Sequence, residues 1–152
     1  MNMTKSEKMH FLSLLEKYAC HEKAKQMKQY IQHGKITTYS HCFSVALTSY
    51  YVNRKLRLGV DEKSLVKAAF LHDFYLYDWH EASNEHRLHG FSHAKKAAEN
   101  ADRYFGLNRQ EYQAIKSHMW PLTLTSMPKD RMGWIVCLSD KYCAAWETLF
   151  GR

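Results

Sequence analysis

The sequence predicts an all-α domain, and three observations carry that reading. Apolar residues recur at spacings of three and four along most of the chain. The boundaries between these runs hold Gly, Asn or Asp, with no stretch of strand-type alternation. Only two prolines, Pro121 and Pro128, interrupt the 152 residues, and the six glycines fall mostly where helices should end. Predicted strand content is near zero.

A first long helix is expected from about Ser6 to Gln32, with Ala19-Cys20 as a potential break and Gly34 as its stop. A second starts near Thr38, carries Phe43, Ala46, Leu47 and Tyr50, and ends around Leu58-Gly59. Asp61 suits the N-cap of a third helix, which ends at His72-Asp73. The stretch Phe74 to Phe91 is rich in aromatic residues and histidine but lacks a clean period. It reads as a partly ordered loop with a short helix, covering one side of whatever His72-Asp73 binds. A fourth helix spans Ser92 to Tyr104 and stops at Phe105-Gly106. Asn108 opens a fifth, which stops near Trp120-Pro121. The last runs through Trp134-Ile135-Val136-Cys137-Leu138 to about Leu149.

The length fits one domain, residues 1–152, able to bury its own core. No apolar run approaches the roughly 20 residues of a membrane span, and Met1-Asn2-Met3-Thr4-Lys5-Ser6-Glu7-Lys8 lacks the apolar core of a signal peptide. A cytoplasmic protein is expected, with no membrane partner. The cysteines Cys20, Cys42, Cys137 and Cys143 form no CxxC pair and lie within apolar helical patterns, as reduced core residues do. The net charge of +7 is spread over helix surfaces, beginning with Lys5, Lys8, Lys17, Lys23, Lys25 and Lys28. That distribution fits a solvated basic face better than a polyanion stripe, so nucleic acid is not the expected partner. A positive field also draws small phosphorylated substrates.

The ten histidines carry more information than the charge. His72-Asp73 ends the run Leu65-Val66-Lys67-Ala68-Ala69-Phe70-Leu71, and Ala69, Ala68 and Leu65 share a helical face with His72. Imidazole and carboxylate on a buried face are costly unless satisfied, and a cation is the simplest partner for both. His41 opens the second helix, with Val45 one turn on; His93 opens the fourth, beside Ala97 and Ala98; His118 closes the fifth after Ala114 and Ile115. Each of these, read alone, is a structural histidine. Asp140 has Val136, Cys137, Cys143 and Ala144 on its own face, so its carboxylate is paired in a salt bridge, protonated or metal-bound.

Together, His41, His72-Asp73, His93, His118 and Asp140 form a far more specific pattern. In this order the chain resembles the HD-domain superfamily of metal-dependent phosphohydrolases, H…HD…H…H…D on five core helices. The resemblance spans roughly Thr38 to Ala145, a core of about 38–146 preceded by an N-terminal helical extension over 1–37. Local contexts agree: Ser40-His41-Cys42-Phe43-Ser44-Val45-Ala46, Ala68-Ala69-Phe70-Leu71-His72-Asp73, Ala114-Ile115-Lys116-Ser117-His118 and Cys137-Leu138-Ser139-Asp140. For the third histidine, His93 fits the family's H-x-x-x-G/A-A register through Ala97 and Ala98 and the following Phe105-Gly106. His89 is left to support the site or face the substrate.

The resemblance implies one metal on His41, His72, Asp73 and Asp140, and a second on His93 and His118 with Asp73 bridging. The histidine-rich set suits a divalent transition metal, Fe, Mn, Co, Ni or Zn, better than Mg. The implied reaction is hydrolysis of a phosphate ester or phosphoanhydride, in a nucleotide or another small phosphorylated substrate, by a metal-activated water. Asp73 would anchor the site; His89 and His80 are leaving-group acid candidates. Similar proteins include bacterial HD hydrolases that cleave dinucleoside tetraphosphates symmetrically. One departure is plain. Many relatives carry H-D-x-x-K, but that lysine position is Leu76 here. Arg87, Lys95, Lys96 and Lys141 are alternative cations for phosphate, and Tyr77, Trp79 and Trp120 could stack on a base. Two competing readings stay open: an HD-fold di-iron oxygenase, mildly favoured by the missing lysine, and a metal-binding module without turnover. The scattered aromatic residues are also compatible with a homodimer.

Overall fold

The computed structural model of the chain describes residues 2–76 and 89–150, apart from the side chains of residues 33 and 89–92. Helix α1 spans Lys5–Ala19 and begins in a capping box, with Thr4 accepting from the Glu7 amide and Glu7 returning to the Thr4 amide. The expected helix does not continue to Gln32. His21 adopts an extended backbone and caps a short new helix, α2 (Glu22–Lys25), by accepting from the Lys23 amide. A 3-10 turn over Gln26–Gln29 follows. The chain then forms an antiparallel hairpin, β1 (Ile31–His33) and β2 (Ile36–Thr37), turned at Gly34 with φ +55°. These five residues are the strand content of the described chain, in keeping with the near-zero expectation. The hairpin is closed from outside by the Thr38 amide donating to the Tyr30 carbonyl at 2.8 Å, a pairing that no local pattern announces. Cys20 caps α1 and is exposed, contrary to the expectation of a core thiol; Cys42, Cys137 and Cys143 are buried.

Five helices form the body: α3 (Thr38–Lys55), α4 (Glu62–Leu71), α5 (His89–Phe105), α6 (Arg109–Ser117) and α7 (Arg131–Phe150). Asp61 caps α4 through the Ser64 amide, and Asn108 caps α6 in a capping box with Glu111, as the sequence predicts. Helix α5 starts three residues before the expected Ser92. With its small two-stranded sheet the fold is all-α, five core helices behind an N-terminal helix. Among the described residues, no helix is long and apolar enough to cross a membrane.

Helix α4 is the hub. Every residue from Leu65 to Leu71 is buried, because α1, α3 and α6 pack around it. Burying Leu65, Phe70 and Leu71 contributes about 1.5–3 kcal/mol each. Lys67 is tolerated inside because its ammonium meets the Glu111 carboxylate at 2.9 Å. From α1, Phe11 packs edge-on against Phe43 and tilts onto Tyr50 of α3, while Tyr18 reaches Phe105. A helix surrounded on all sides has its C-terminus in the middle of the protein. That is where the chain places His72 and Asp73.

Candidate metal centre

His72 is the C-cap of α4 and His118 the C-cap of α6. At both caps the imidazole folds back on the last turn. His72 Nδ1 donates to the Ala69 carbonyl at 2.8 Å, and His118 Nδ1 donates to the Ile115 carbonyl at 2.7 Å. His41, in the first turn of α3, has Nδ1 2.7 Å from the Glu147 carboxylate of α7. Carbonyl and carboxylate oxygens only accept, so each Nδ1 carries the proton. In the neutral ring, each Nε2 then presents a lone pair.

Those lone pairs converge. His41 Nε2 lies 3.0 Å from Asp140 Oδ1, and His72 Nε2 lies 3.5 Å from Asp140 Oδ1 and from Asp73 Oδ2. His93 Nε2 and His118 Nε2 are 3.1 Å apart, and each is 3.3 Å from Asp73 Oδ1. Three groups of potential ligand atoms result: His41-His72-Asp73, His72-His118-Asp140 and Asp73-His93-His118. All six residues are buried. The sequence-predicted set is therefore brought together, His93 included. The His89 side chain lies outside the described residues, as do Tyr77, Trp79, His80 and Arg87. Trp120 is half-buried and packs edge-on against Trp134, 5.1 Å between ring centroids.

Whether these residues fit a cation can be judged from their own hydrogen bonding. His72 Nε2 and Asp73 Oδ1 are fully buried and have no hydrogen-bond partner, although charged neighbours lie within 3.5 Å. Orphaned polar atoms at such depth cost roughly 1–3 kcal/mol each. Lone pairs facing carboxylate oxygens repel unless a proton or a cation lies between them. The donor set of imidazole nitrogens and carboxylate oxygens fits a divalent transition metal.

The protonation pattern gives the same account from the other side. Burial alone would push His41 down, but its bonds to Asp140 and Glu147 outweigh this and raise it to about 10. Burial opposes charge on His72 as well; the Asp73 and Asp140 carboxylates nevertheless lift it well above the imidazole range. Asp73 and Asp140 are held well below the carboxylate range, burial being overcome by the surrounding imidazoles. His118 is lowered by burial, against the pull of Asp73. Without a metal, protons on His41 and His72 balance the two carboxylates.

Three further residues complete the centre. Gln32 of β1 donates from Nε2 to Asp73 Oδ2 at 2.7 Å. Glu147 holds His41 as described, and Lys141 donates from Nζ to Asp140 Oδ2 at 3.1 Å and to the His118 carbonyl at 2.7 Å. Lys141 alone of these was among the cations expected from the sequence. Glu147 lies seven residues after Asp140, hence on the same face of α7, a signal that helical spacing carries. Gln32 has no such signal, since its partner is 41 residues away. Of the other cations, Lys95 is exposed and pairs with Glu99 at 3.6 Å. Lys96 is half-buried on α5. At the H-D-x-x-K position, Leu76 adopts a left-handed backbone with φ +57°, its carbonyl accepting from Tyr30 OH at 3.4 Å.

No curated protein and no solved structure matches the chain. Residues 38–145 match the HD domain, from the first residue of α3 to beyond Asp140. HD domains bind divalent metals and are generally metal-dependent hydrolases. On this match, which covers most of its length, the chain belongs to the HD-domain family.

Proposed function

We propose that the chain is a metal-dependent phosphohydrolase acting on a phosphate ester or phosphoanhydride of a nucleotide. The observation that carries this is the convergence of imidazole Nε2 atoms and two carboxylates on one buried point, with His72 Nε2 and Asp73 Oδ1 in ion-pair range of their neighbours but without a hydrogen bond. His41, His72, Asp73 and Asp140 would hold one metal, and Asp73, His93 and His118 the second. Fe, Mn, Co, Ni or Zn bound there would supply an acidified water and neutralise phosphoryl charge.

The chain's own residues have distinct tasks in this reading. Asp73 contributes one oxygen to each half of the centre. The carbonyl bonds at Ala69 and Ile115 fix the tautomers of His72 and His118. Lys141 takes the place of the family's missing lysine: its ammonium sits at the edge of the centre, with the side chain 38 % exposed. It is therefore open to a phosphate that approaches from solvent. His89 remains the proposed leaving-group acid.

The test is a panel of nucleotides, a dinucleoside tetraphosphate and p-nitrophenyl phosphate, assayed for phosphate release after loading with each of the five metals. Hydrolysis is expected, with K141M raising KM more than it lowers kcat. A panel with no turnover under any metal would overturn the proposal. Leu76 at the lysine position also favours a second reading, a di-iron oxygenase. Iron-dependent oxygen consumption without hydrolysis would select it.

We also propose that two copies pair through α7. Leu138, Tyr142, Trp146 and Leu149 line one face of α7 at helical spacing and are each more than half exposed. Leu56 and Phe150 flank them and are similarly exposed. An aromatic side chain offers about 150–250 Å², so the patch presents on the order of 600 Å². A two-fold contact would bury roughly 1,200 Å², the lower bound for a stable interface.

A further inference from the structure

Asp73 is the residue common to both halves of the proposed centre, and something must decide which of its oxygens faces which half. Its Oδ2 receives the Gln32 amide at 2.7 Å; its Oδ1 is left toward His93 and His118, 3.3 Å from each. The Gln32 amide is itself oriented. Its Oε1 accepts from Tyr75 OH at 2.7 Å and from Thr38 Oγ1 at 3.1 Å. A flipped amide would set its oxygen against the ionised carboxylate, acceptor to acceptor, so only one orientation is tolerated.

The supports of this relay are fixed from several directions. Thr38 is fully buried and Tyr75 nearly so, and their hydroxyls lie 3.2 Å apart. Thr38 is the first residue of α3, and its amide closes the hairpin that carries Gln32. The Tyr75 ring packs edge-on against His93, 5.8 Å between centroids. The relay therefore touches Asp73 and His93, two members of the Asp73-His93-His118 group. Asp73 Oδ2, the oxygen that Gln32 holds, lies 3.5 Å from His72 Nε2. Gln32 also lies outside the residues that match the HD domain, 38–145.

We infer that Gln32, oriented by Tyr75 and Thr38, is a positioning residue that holds Asp73 so that the His93-His118 half can take a metal. The inference rests on the metal-dependent reading above. Losing the Gln32 donor frees Asp73 to rotate about its carboxylate, which withdraws Oδ1 from His93 and His118. The other half loses the hold on Asp73 Oδ2 but keeps three further ligands, His41, His72 and Asp140, and so is less affected. Loss of such an orienting partner typically weakens metal binding roughly 10- to 100-fold.

The experiment is titration of the full chain with Co²⁺ alone, followed by calorimetry and visible absorption, for wild type, Gln32→Leu and Tyr75→Phe. Tyr75→Phe removes one hydroxyl and keeps the buried ring, which guards against a variant that fails to fold. Wild type should bind two Co²⁺. In Gln32→Leu one site should stay within about threefold while the other weakens roughly 10- to 100-fold, and Tyr75→Phe should weaken the same site by less. Two wild-type sites in both variants would overturn the relay and leave the metal-dependent reading standing. Equal weakening of both sites would also overturn it, because a merely structural role predicts that. A wild type that binds no Co²⁺ would overturn both the relay and the reading it rests on.

Discussion

Removing the Glu147 carboxylate should weaken metal binding at the His41 half of the centre. Glu147 Oε2 sits 2.7 Å from His41 Nδ1, with the two side chains 10 % and 1 % exposed. A buried hydrogen bond to a charged group is worth about 1.5–3 kcal/mol. Its loss corresponds to roughly a 10- to 150-fold change in an equilibrium constant at about 1.4 kcal/mol per tenfold. Orienting partners of metal-bound histidines fall in the same range. Glu147→Ala should therefore cost about 10- to 100-fold in affinity at one site. Glu147→Gln keeps a neutral acceptor and should cost less, about 3- to 10-fold, since neutral bonds are roughly half as strong. The assay is competition between the protein and a chelator for Zn²⁺, with circular dichroism to confirm folding. The His93-His118 half should be unaffected, the reverse of the Gln32→Leu pattern. A folded Glu147→Ala with wild-type affinity at both sites would refute the reasoning.

Metal-free protein should lose stability as pH rises from about 7 to 10. His41 is raised to about 10, so its contribution is complete below the ordinary imidazole value of about 6.5 and disappears as pH climbs through 10. Asp73 and Asp140, held low, contribute above about 3.9 and lose that contribution only in strong acid. Melting curves in chelator should show the alkaline decline, and His41→Gln should flatten it; equal slopes would count against the assignment. Leu138→Asp should convert a dimer into a monomer in sedimentation experiments without changing the metal content, whereas a monomeric wild type would remove the α7 pairing. Phe11→Ala should cost about 3–5 kcal/mol in denaturant unfolding, because Phe11 is buried against α3 and the extension 1–37 is proposed to fold with the core. A loss below about 1 kcal/mol, as for surface positions, would separate the extension from the core.

The helices were legible where their signals are local. Asp61 and Asn108 announce α4 and α6 because an N-cap side chain acts on its own first turn. The six candidate ligands were legible because imidazole or carboxylate on an apolar helix face needs a partner, and the resemblance to the HD order groups them. The hairpin was not, since three- and two-residue strands are too short for alternation to register. Gln32 was hidden with it: a lone glutamine at the end of an expected helix gives no hint of an aspartate brought beside it by the fold. Glu147 was hidden differently. Its spacing from Asp140 was visible, but a glutamate near a helix end ordinarily faces water. Cys20 reversed the error, an apolar-looking position left exposed once α1 ends beside it.

The most direct test is elemental analysis of the purified chain and of Asp73→Ala, with the nucleotide and phosphate-ester panel run on the same samples. Wild type should carry close to two transition metals per chain and release phosphate or nucleotide. Asp73→Ala, which takes a ligand from both metals, should carry little metal and show no turnover. Full metal occupancy and retained hydrolysis in Asp73→Ala, or a wild type that takes up no metal after reconstitution, would contradict a di-metal hydrolase built on these six residues.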